Sequence, residues 1–252
     1  MPKQDFILIH GWGTDAAIWT KTQEYLQKEH RVFALTLPQA INLDTYWQAV
    51  LQLIKKQDLQ QVVLLGWSMG SLVALQTAKR CPEKIKALVL VSSTGKFAAE
   101  SPEKASPQNY PGGIPAALVH RMEKRLIKNP SATFHDFYRL MFSPMEKSAG
   151  MDRMIMEKYL LPGQQWSVEP AIAGLKFLLA CDTRGDLAEI TCPVLLIHGA
   201  EDAICPLAGA LFLADKLKGQ MVIFPDCGHI PFLTNTSDFH KCLMEWIDAK
   251  WP

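Results

Sequence analysis

The pentapeptide Gly66-Trp67-Ser68-Met69-Gly70 follows the apolar run Val62 to Leu65 and precedes the helical run Ser71 to Lys79, and it constrains the possible folds of this chain more than any other stretch. A serine on a sharp turn from strand to helix occupies strained backbone, so its neighbours two positions away must be small to avoid collision. Glycine at 66 and 70 meets that need. With eleven serines and 15 glycines in 252 residues, the pattern has about 0.04 chance occurrences before any strand or helix is required around it. Coincidence is therefore a poor account of it. The turn lifts the Ser68 hydroxyl clear of a sheet and aims the Met69 N–H at the same space, as one half of an oxyanion hole.

The flanking chain supplies such a sheet. Strand-like runs at Phe6 to Ile9, Arg31 to Leu37, Gln61 to Leu65 and Ala87 to Ser92 alternate with helical stretches. The alternation returns at Pro193 to His198 and Met221 to Phe224, before a closing amphipathic helix at Asp238 to Trp246. This predicts an α/β fold, a mostly parallel central sheet with helices on both faces. Between the halves, Gly95 to Pro115 is rich in Pro, Gly and Ser and reads as a linker; the chain is then helical, without strands, to about Cys181. Residues 1–95 and 182–252 are thus expected to form the core, and 96–181 an inserted helical cap. Within the cap, Thr133-Phe134-His135-Asp136 resembles a capping-box start, and Phe134, Phe137, Tyr138 and Met141 recur at helical spacing. Such a stripe serves as core and, in a cap over a cleft, as pocket lining.

A formal charge of +1 with 20% charged residues gives no global field for nucleic acid or anionic lipid. No apolar run approaches the ~20 residues of a membrane span. The first strand-like run starts too early and is too short for a signal peptide, so a cytoplasmic protein is expected. The six cysteines show no C-x-x-C pair or metal-ligand spacing, which reads as free thiols and no metal site. Cys205 and Cys227 lie near the acid and base proposed next, but neither is on a strand-to-helix turn, and both read as small buried side chains.

A serine hydroxyl needs a base to take its proton and a group to orient that base. Among seven histidines, His229 alone follows a strand and a turn, in Pro225-Asp226-Cys227-Gly228-His229. His10 and His198 each end an apolar strand before a glycine and read as structural. For the acid, Gly199-Ala200-Glu201-Asp202 follows a strand at the carboxyl end, where open α/β sheets place their sites. Glu201 and Asp202 both qualify; Asp202 is preferred because it leads into Ala203-Ile204-Cys205-Pro206. The second oxyanion donor is assigned to the Trp12 N–H, in His10-Gly11-Trp12-Gly13 after the first strand.

The order Ser68, Asp202, His229 and the placement of each resemble the α/β-hydrolase superfamily, over roughly residues 5–95 and 182–248. More narrowly, Leu8-Ile9-His10-Gly11-Trp12-Gly13 with Trp19, Gly66-Trp67-Ser68-Met69-Gly70, and Gly228-His229-Ile230-Pro231-Phe232 resemble the pimeloyl-acyl-carrier-protein methyl ester esterases of biotin synthesis. The resemblance implies a serine carboxylesterase that frees methanol from a carrier-linked ester without a cofactor. It also implies that Trp12, Ser68, Met69, Phe137 and His229 surround the acyl chain. The chain departs from relatives in three places: Leu37-Pro38-Gln39-Ala40 lacks an Asp-x-Pro-Gly-x-Gly loop, Ser71 replaces a frequent third glycine, and the cap matches only in position and helical character.

The resemblance makes an acidic acyl carrier protein the expected partner of a monomeric enzyme. Residues 96–176 hold eleven Lys or Arg against eight Asp or Glu. In the predicted helix Ala116 to Lys128, Arg121, Lys124, Arg125 and Lys128 share an arc of about 100°, beside Leu118, Val119, Met122 and Leu126. That arc reads as a solvated helix face or as a docking face for the carrier. Two readings compete with the esterase: the same triad running other esterase, thioesterase or menaquinone-type carbon–carbon lyase chemistry, and a non-catalytic binding protein on the same scaffold.

Overall fold

The structure, a computed structural model, describes residues 3–38, 42, 44–99, 110, 112–161 and 168–251. Its centre is a six-stranded sheet of β1 (Asp5–Ile9), β2 (Arg31–Leu35), β3 (Val62–Trp67), β4 (Ile85–Val91), β7 (Val194–Gly199) and β8 (Gln220–Phe224). The strands lie in the order β2-β1-β3-β4-β7-β8, and every pair is parallel. Strands β3 and β7 are buried along their whole length, as unbroken Val/Leu/Ile runs in a parallel sheet should be.

Parallel strands need long crossovers, and these carry α1 (Thr20–Leu26), α2 (Thr45–Lys56), α3 (Met69–Arg80) and α9 (Leu207–Leu217). In α2, Tyr46, Val50 and Ile54 recur every four residues and are the buried ones, so one stripe faces the core. The chain ends in α10 (Pro231–Thr234) and α11 (Thr236–Lys250). The order reverses at β1: β2 lies on one side of it and β3 on the other. Loops leaving β1 and β3 therefore diverge and open a crevice at the carboxyl ends.

Between β4 and β7 lie α4 (Ala116–Lys128), α5 (Pro130–Leu140), α6 (Pro144–Ser148), α7 (Met151–Ile155), a π-turn at Met156–Leu160, and α8 (Val168–Ala180). Two expectations need correction here. The segment is not free of strands: two-residue strands β5 (Ala98–Ala99) and β6 (Ile114–Pro115) pair in parallel, and Lys96 bridges to Asp182. The Lys96–Asp182 bridge joins the two ends of the insertion where it leaves and rejoins the sheet, whereas β5 and β6 close a loop within its first twenty residues. Nor does α5 start at Thr133. Asn129 caps it by accepting from Ala132 N, and Pro130 follows at the first helical position. Thr133 sits inside the helix, its hydroxyl donating to Asn129 O at 2.7 Å. The segment's capping box is Ser143 with Glu146, at the start of α6. Much of the linker read at 95–115 lies outside the described residues, as do Gln39 and Ala40.

Candidate active site

Ser68 connects β3 to α3 with φ 54° and ψ −119°, a region that costs a non-glycine residue about 1–3 kcal/mol. The surroundings leave it no alternative. A Cβ on Gly66 would stand 2.4 Å from Gly70 O, and one on Gly70 would stand 2.3 Å from Ile9 O. The turn is pinned by Ser68 N donating to Val91 O at 3.0 Å, and by Ser71 donating to Ser68 O through both N (2.9 Å) and Oγ (2.5 Å). Serine at 71 thus keeps the close packing of a small residue and adds a hydrogen bond.

Met69 is the first residue of α3, so its N–H has no partner within the helix and faces the turn. The loop after β1 runs alongside: a Cβ on Gly11 would meet the Trp67 ring at 2.9 Å and Ser68 Cβ at 3.2 Å. His10 holds this loop. Its Nδ1 lies 2.7 Å from Gly11 O and its Nε2 accepts from Leu37 N at 2.9 Å, which fixes the neutral tautomer protonated on Nδ1. Trp12 is buried, donates its indole N–H to Ala171 O at 2.8 Å, and packs its ring against Phe134 and Phe137. Trp12 and Met69 thus both border the Ser68 turn, with their side chains turned toward the helical insertion; a Cβ on Gly174 of α8 would meet both.

Asp202 follows β7 and is buried, whereas Glu201 is exposed. Its Oδ1 accepts from Ile204 N and Cys205 N, each at 2.9 Å, and its Oδ2 lies 2.7 Å from His229 Nδ1. Burial pushes the Asp202 carboxyl up, but its attraction to and hydrogen bond with His229, with help from His198 and Cys205 N, outweigh that and hold it below the usual value. His198, which reads as structural in sequence, stands behind this pair. Its Nε2 is 2.8 Å from Cys205 O and 3.5 Å from Asp202 Oδ2, so Nε2 carries the proton. Burial lowers its pKa and keeps it neutral.

His229 is fully buried on the loop after β8. Trp67 donates its indole N–H to His229 O at 2.8 Å, and Glu201 N donates to Cys227 O at 3.0 Å, linking the nucleophile strand and the acid loop to the base loop. His229 Nε2 is buried and has no hydrogen-bond partner among the described residues. The structure thus brings Asp202 and His229 into direct contact; Ser68 makes no bond to His229 Nε2, and its side chain instead hydrogen-bonds Cys205, whose N–H donates to Asp202. Resting enzymes often hold the serine–histidine contact loosely. Cys205 and Cys227 are both buried free thiols, and burial pushes each up, which disfavours the thiolate form.

A cavity of about 400 Å3 opens between α4, α5 and the turn after Asp202, walled by Phe97, Leu118, Met122, Phe137, Leu140 and Ile204 among others. Phe137 separates it from Trp12, with ring centroids 4.7 Å apart. Arg121 and Arg125 also line it, and Arg125 pairs with Asp136 across the α4–α5 angle. Lys124 and Lys128 are exposed and lie outside its walls, so the basic arc of α4 is split between the cavity rim and the outer surface. Leu118, in the arc beside those cations, lines this cavity and is 53% exposed, whereas Val119 and Leu126 of the same arc are buried. Sequence reasoning took His198 as structural without its contact to Asp202, and missed the cavity walls from distant segments and Glu146, whose carboxylate reaches Gly228 N. The capping pattern Ser143-x-x-Glu146 was the one available signal for the last.

Residues 6–236 match the model of a family described as the alpha/beta hydrolase fold. Among curated proteins, the chain is 33% identical over 251 residues to the pimeloyl-[acyl-carrier protein] methyl ester esterase of Aromatoleum aromaticum, covering 94% of this chain and 96% of that protein. The protein of the same name from Nitrosomonas europaea is 30% identical over 244 residues, covering 94% and 93%. Among solved structures, an esterase from Exiguobacterium antarcticum superposes with a TM-score of 0.84 at 19% identity, covering 97% of this chain and 92% of that one. A bromoperoxidase from Bacillus anthracis superposes at 0.86 with 18% identity, covering 98% and 92%. These structural likenesses speak to the fold alone. The chain belongs to the alpha/beta hydrolase fold family, among its carboxylic ester hydrolases and in the branch that holds the pimeloyl-[acyl-carrier protein] methyl ester esterases.

Proposed function

We propose that this chain is a serine carboxylesterase that hydrolyses the methyl ester of a pimeloyl chain carried on acyl carrier protein. The observation that carries the chemistry is the 2.7 Å contact between Asp202 and His229 Nδ1, beside a serine held at φ 54°. His229 takes the Ser68 proton as Oγ attacks the ester carbonyl, and the N–H groups of Trp12 and Met69 receive the developing oxyanion. His229 then protonates departing methanol. Water, deprotonated by the same imidazole, cleaves the acyl-serine and releases the free acid. Asp202 orients the ring and stabilises the imidazolium without taking the proton.

The substrate assignment rests on the relatives' names, and the cavity beside Phe137 supports it with room for an extended acyl chain. In this reading residues 96–181 act as a cap over the core formed by 1–95 and 182–252. Trp12, Ser68, Met69, Phe137 and His229 surround the ester end, and the α4 cations Arg121, Lys124, Arg125 and Lys128 meet the acidic carrier. The enzyme works as a cytoplasmic monomer and needs no cofactor. Among the described residues, no helix is long and apolar enough to cross a membrane.

The test offers methyl-pimeloyl carrier protein beside short aryl esters, to wild type and to Ser68→Ala. Wild type should release methanol from the carrier-linked ester in strong preference to aryl alcohol from the small esters. The variant should fold and lose turnover by up to about 10⁶-fold. Near-full activity in Ser68→Ala would overturn the mechanism, and a preference for small esters would overturn the substrate.

A further inference from the structure

The chain that leads from α5 into α6 grips the loop bearing His229 at three points. His229 N donates to Met141 O at 2.7 Å, Ser143 Oγ donates to Asp226 O at 2.6 Å, and Gly228 N donates to Glu146 Oε2 at 3.2 Å. The fit is close enough to require glycine at 228, where a Cβ would stand 2.3 Å from Met141 O and 2.8 Å from Ser143 N. Asp226 takes φ 57° to make the bend.

Glu146 does more here than helix capping needs. A capping box is complete once its carboxylate accepts from its own N-cap, as Oε2 does from Ser143 N at 2.8 Å. The same oxygen also takes the N–H of the residue before the base. Glu146 is 5% exposed, and although Oε2 takes both donors its Oε1 is buried without a hydrogen-bond partner among the described residues, so withdrawing this carboxylate from water carries a cost. Burying one at this junction is understandable if two donors from separate segments must be held at a fixed separation.

We infer that Glu146 is a positioning residue for His229, and that residues 141–146 form a strut coupling the helical insertion to the catalytic base. Because His229 N itself is held by Met141 O, lifting the insertion away at the α5–α6 corner would pull on the main chain of the base. The inference rests on His229 being the base of the proposed esterase.

The test measures turnover of a short aryl ester per active site, with sites counted by covalent titration with a fluorophosphonate, in wild type, Glu146→Ala, Glu146→Gln and Ser143→Ala. Glutamine keeps one acceptor oxygen for both N–H groups, so it should restore most of the activity. Alanine should lower kcat by about ten- to a hundredfold, the scale of a catalytic group displaced by up to an ångström, with KM nearly unchanged. A purely structural role would instead reduce the number of titratable sites and leave kcat per site intact. That result, or glutamine as damaging as alanine, overturns the inference. Should Glu146→Ala fail to fold, Ser143→Ala carries the test, since it removes the bond to Asp226 and should lower kcat per site with KM unchanged; an unaltered kcat there overturns it. Absence of labelling in wild type would instead refute the serine mechanism itself.

Discussion

The indole N–H of Trp67 donates to the carbonyl oxygen of His229 at 2.8 Å, so the residue before the nucleophile holds the main chain of the base. The ring is fully buried, between Gly11 and Phe232. Trp67→Phe should strand that carbonyl without its donor and cost about 1–3 kcal/mol of stability. Turnover per folded molecule should fall as well, because the base loop loses a fixed point. Urea unfolding and aryl-ester kinetics on one preparation check both; unchanged stability would show that the bond contributes nothing.

Asp202→Asn preserves shape while removing the charge that fixes the His229 tautomer. The variant should fold, as read by circular dichroism, and lose about 10⁴-fold in kcat. Glu201→Gln, at an exposed neighbouring position, should leave activity near wild type.

Gly70→Ala should be among the most damaging single-methyl additions, since its Cβ would stand 2.3 Å from the backbone oxygen of Ile9. Overpacking of this kind costs about 1–3 kcal/mol and should also misplace Ser68. Gly185→Ala provides the contrast: its Cβ would meet nothing within 4 Å, and the change should stay within about 0.5 kcal/mol. Equal unfolding midpoints for the two variants would contradict the steric account of the elbow.

Burial lowers the pKa of His10 from 6.5 to about 4, and that of His240, packed on Tyr25 and Thr22, to about 4. Unfolded, each ring takes up a proton as pH falls below 6.5; folded, it does so only near 4. Between those values the unfolded chain binds more protons, so stability is full above pH 6.5 and declines as pH is lowered toward 4. For the enclosed His10 the loss approaches about 3 kcal/mol, at 1.36 kcal/mol per pH unit. Denaturant unfolding at pH 7 and pH 5 should show the decline, and His10→Asn should flatten part of it. A stability independent of pH across this window would refute the neutral buried rings.

On α4 the four cations should separate by position. Arg121→Glu with Arg125→Glu alters the cavity wall and the pair with Asp136, and should impair small esters and carrier-linked esters alike. Lys124→Glu with Lys128→Glu touches exposed surface, and should raise KM only for the carrier-linked ester, with the effect weakening at high salt. A loss confined to small esters in the lysine variant would remove α4 from carrier docking.

The elbow, the six strand runs and the order of the acid and base loops were legible in the amino-acid sequence because each depends on near neighbours. Glycine two residues either side of Ser68 answers a local steric demand, and an apolar run reports burial over its own few residues. The misplaced start of α5 shows the boundary of that reading. Thr133 has a capping residue's chemistry, but Asn129 and Pro130 preceded it and started the helix first.

The tertiary structure alone decided how those parts are held. The bond from Trp67 to His229 spans 162 positions, that from Glu146 to Gly228 spans 82, and His198 reaches Asp202 only because the loop after β7 turns back over its own strand. Arg125 and Arg121 came to line a cavity because α5 folded against α4 and left it between them. Side-chain periodicity records which face of an element avoids water, and it carries no record of the distant segment that covers that face. The supports of the catalytic base are contacts of this second kind, so they became visible only when the chain was closed.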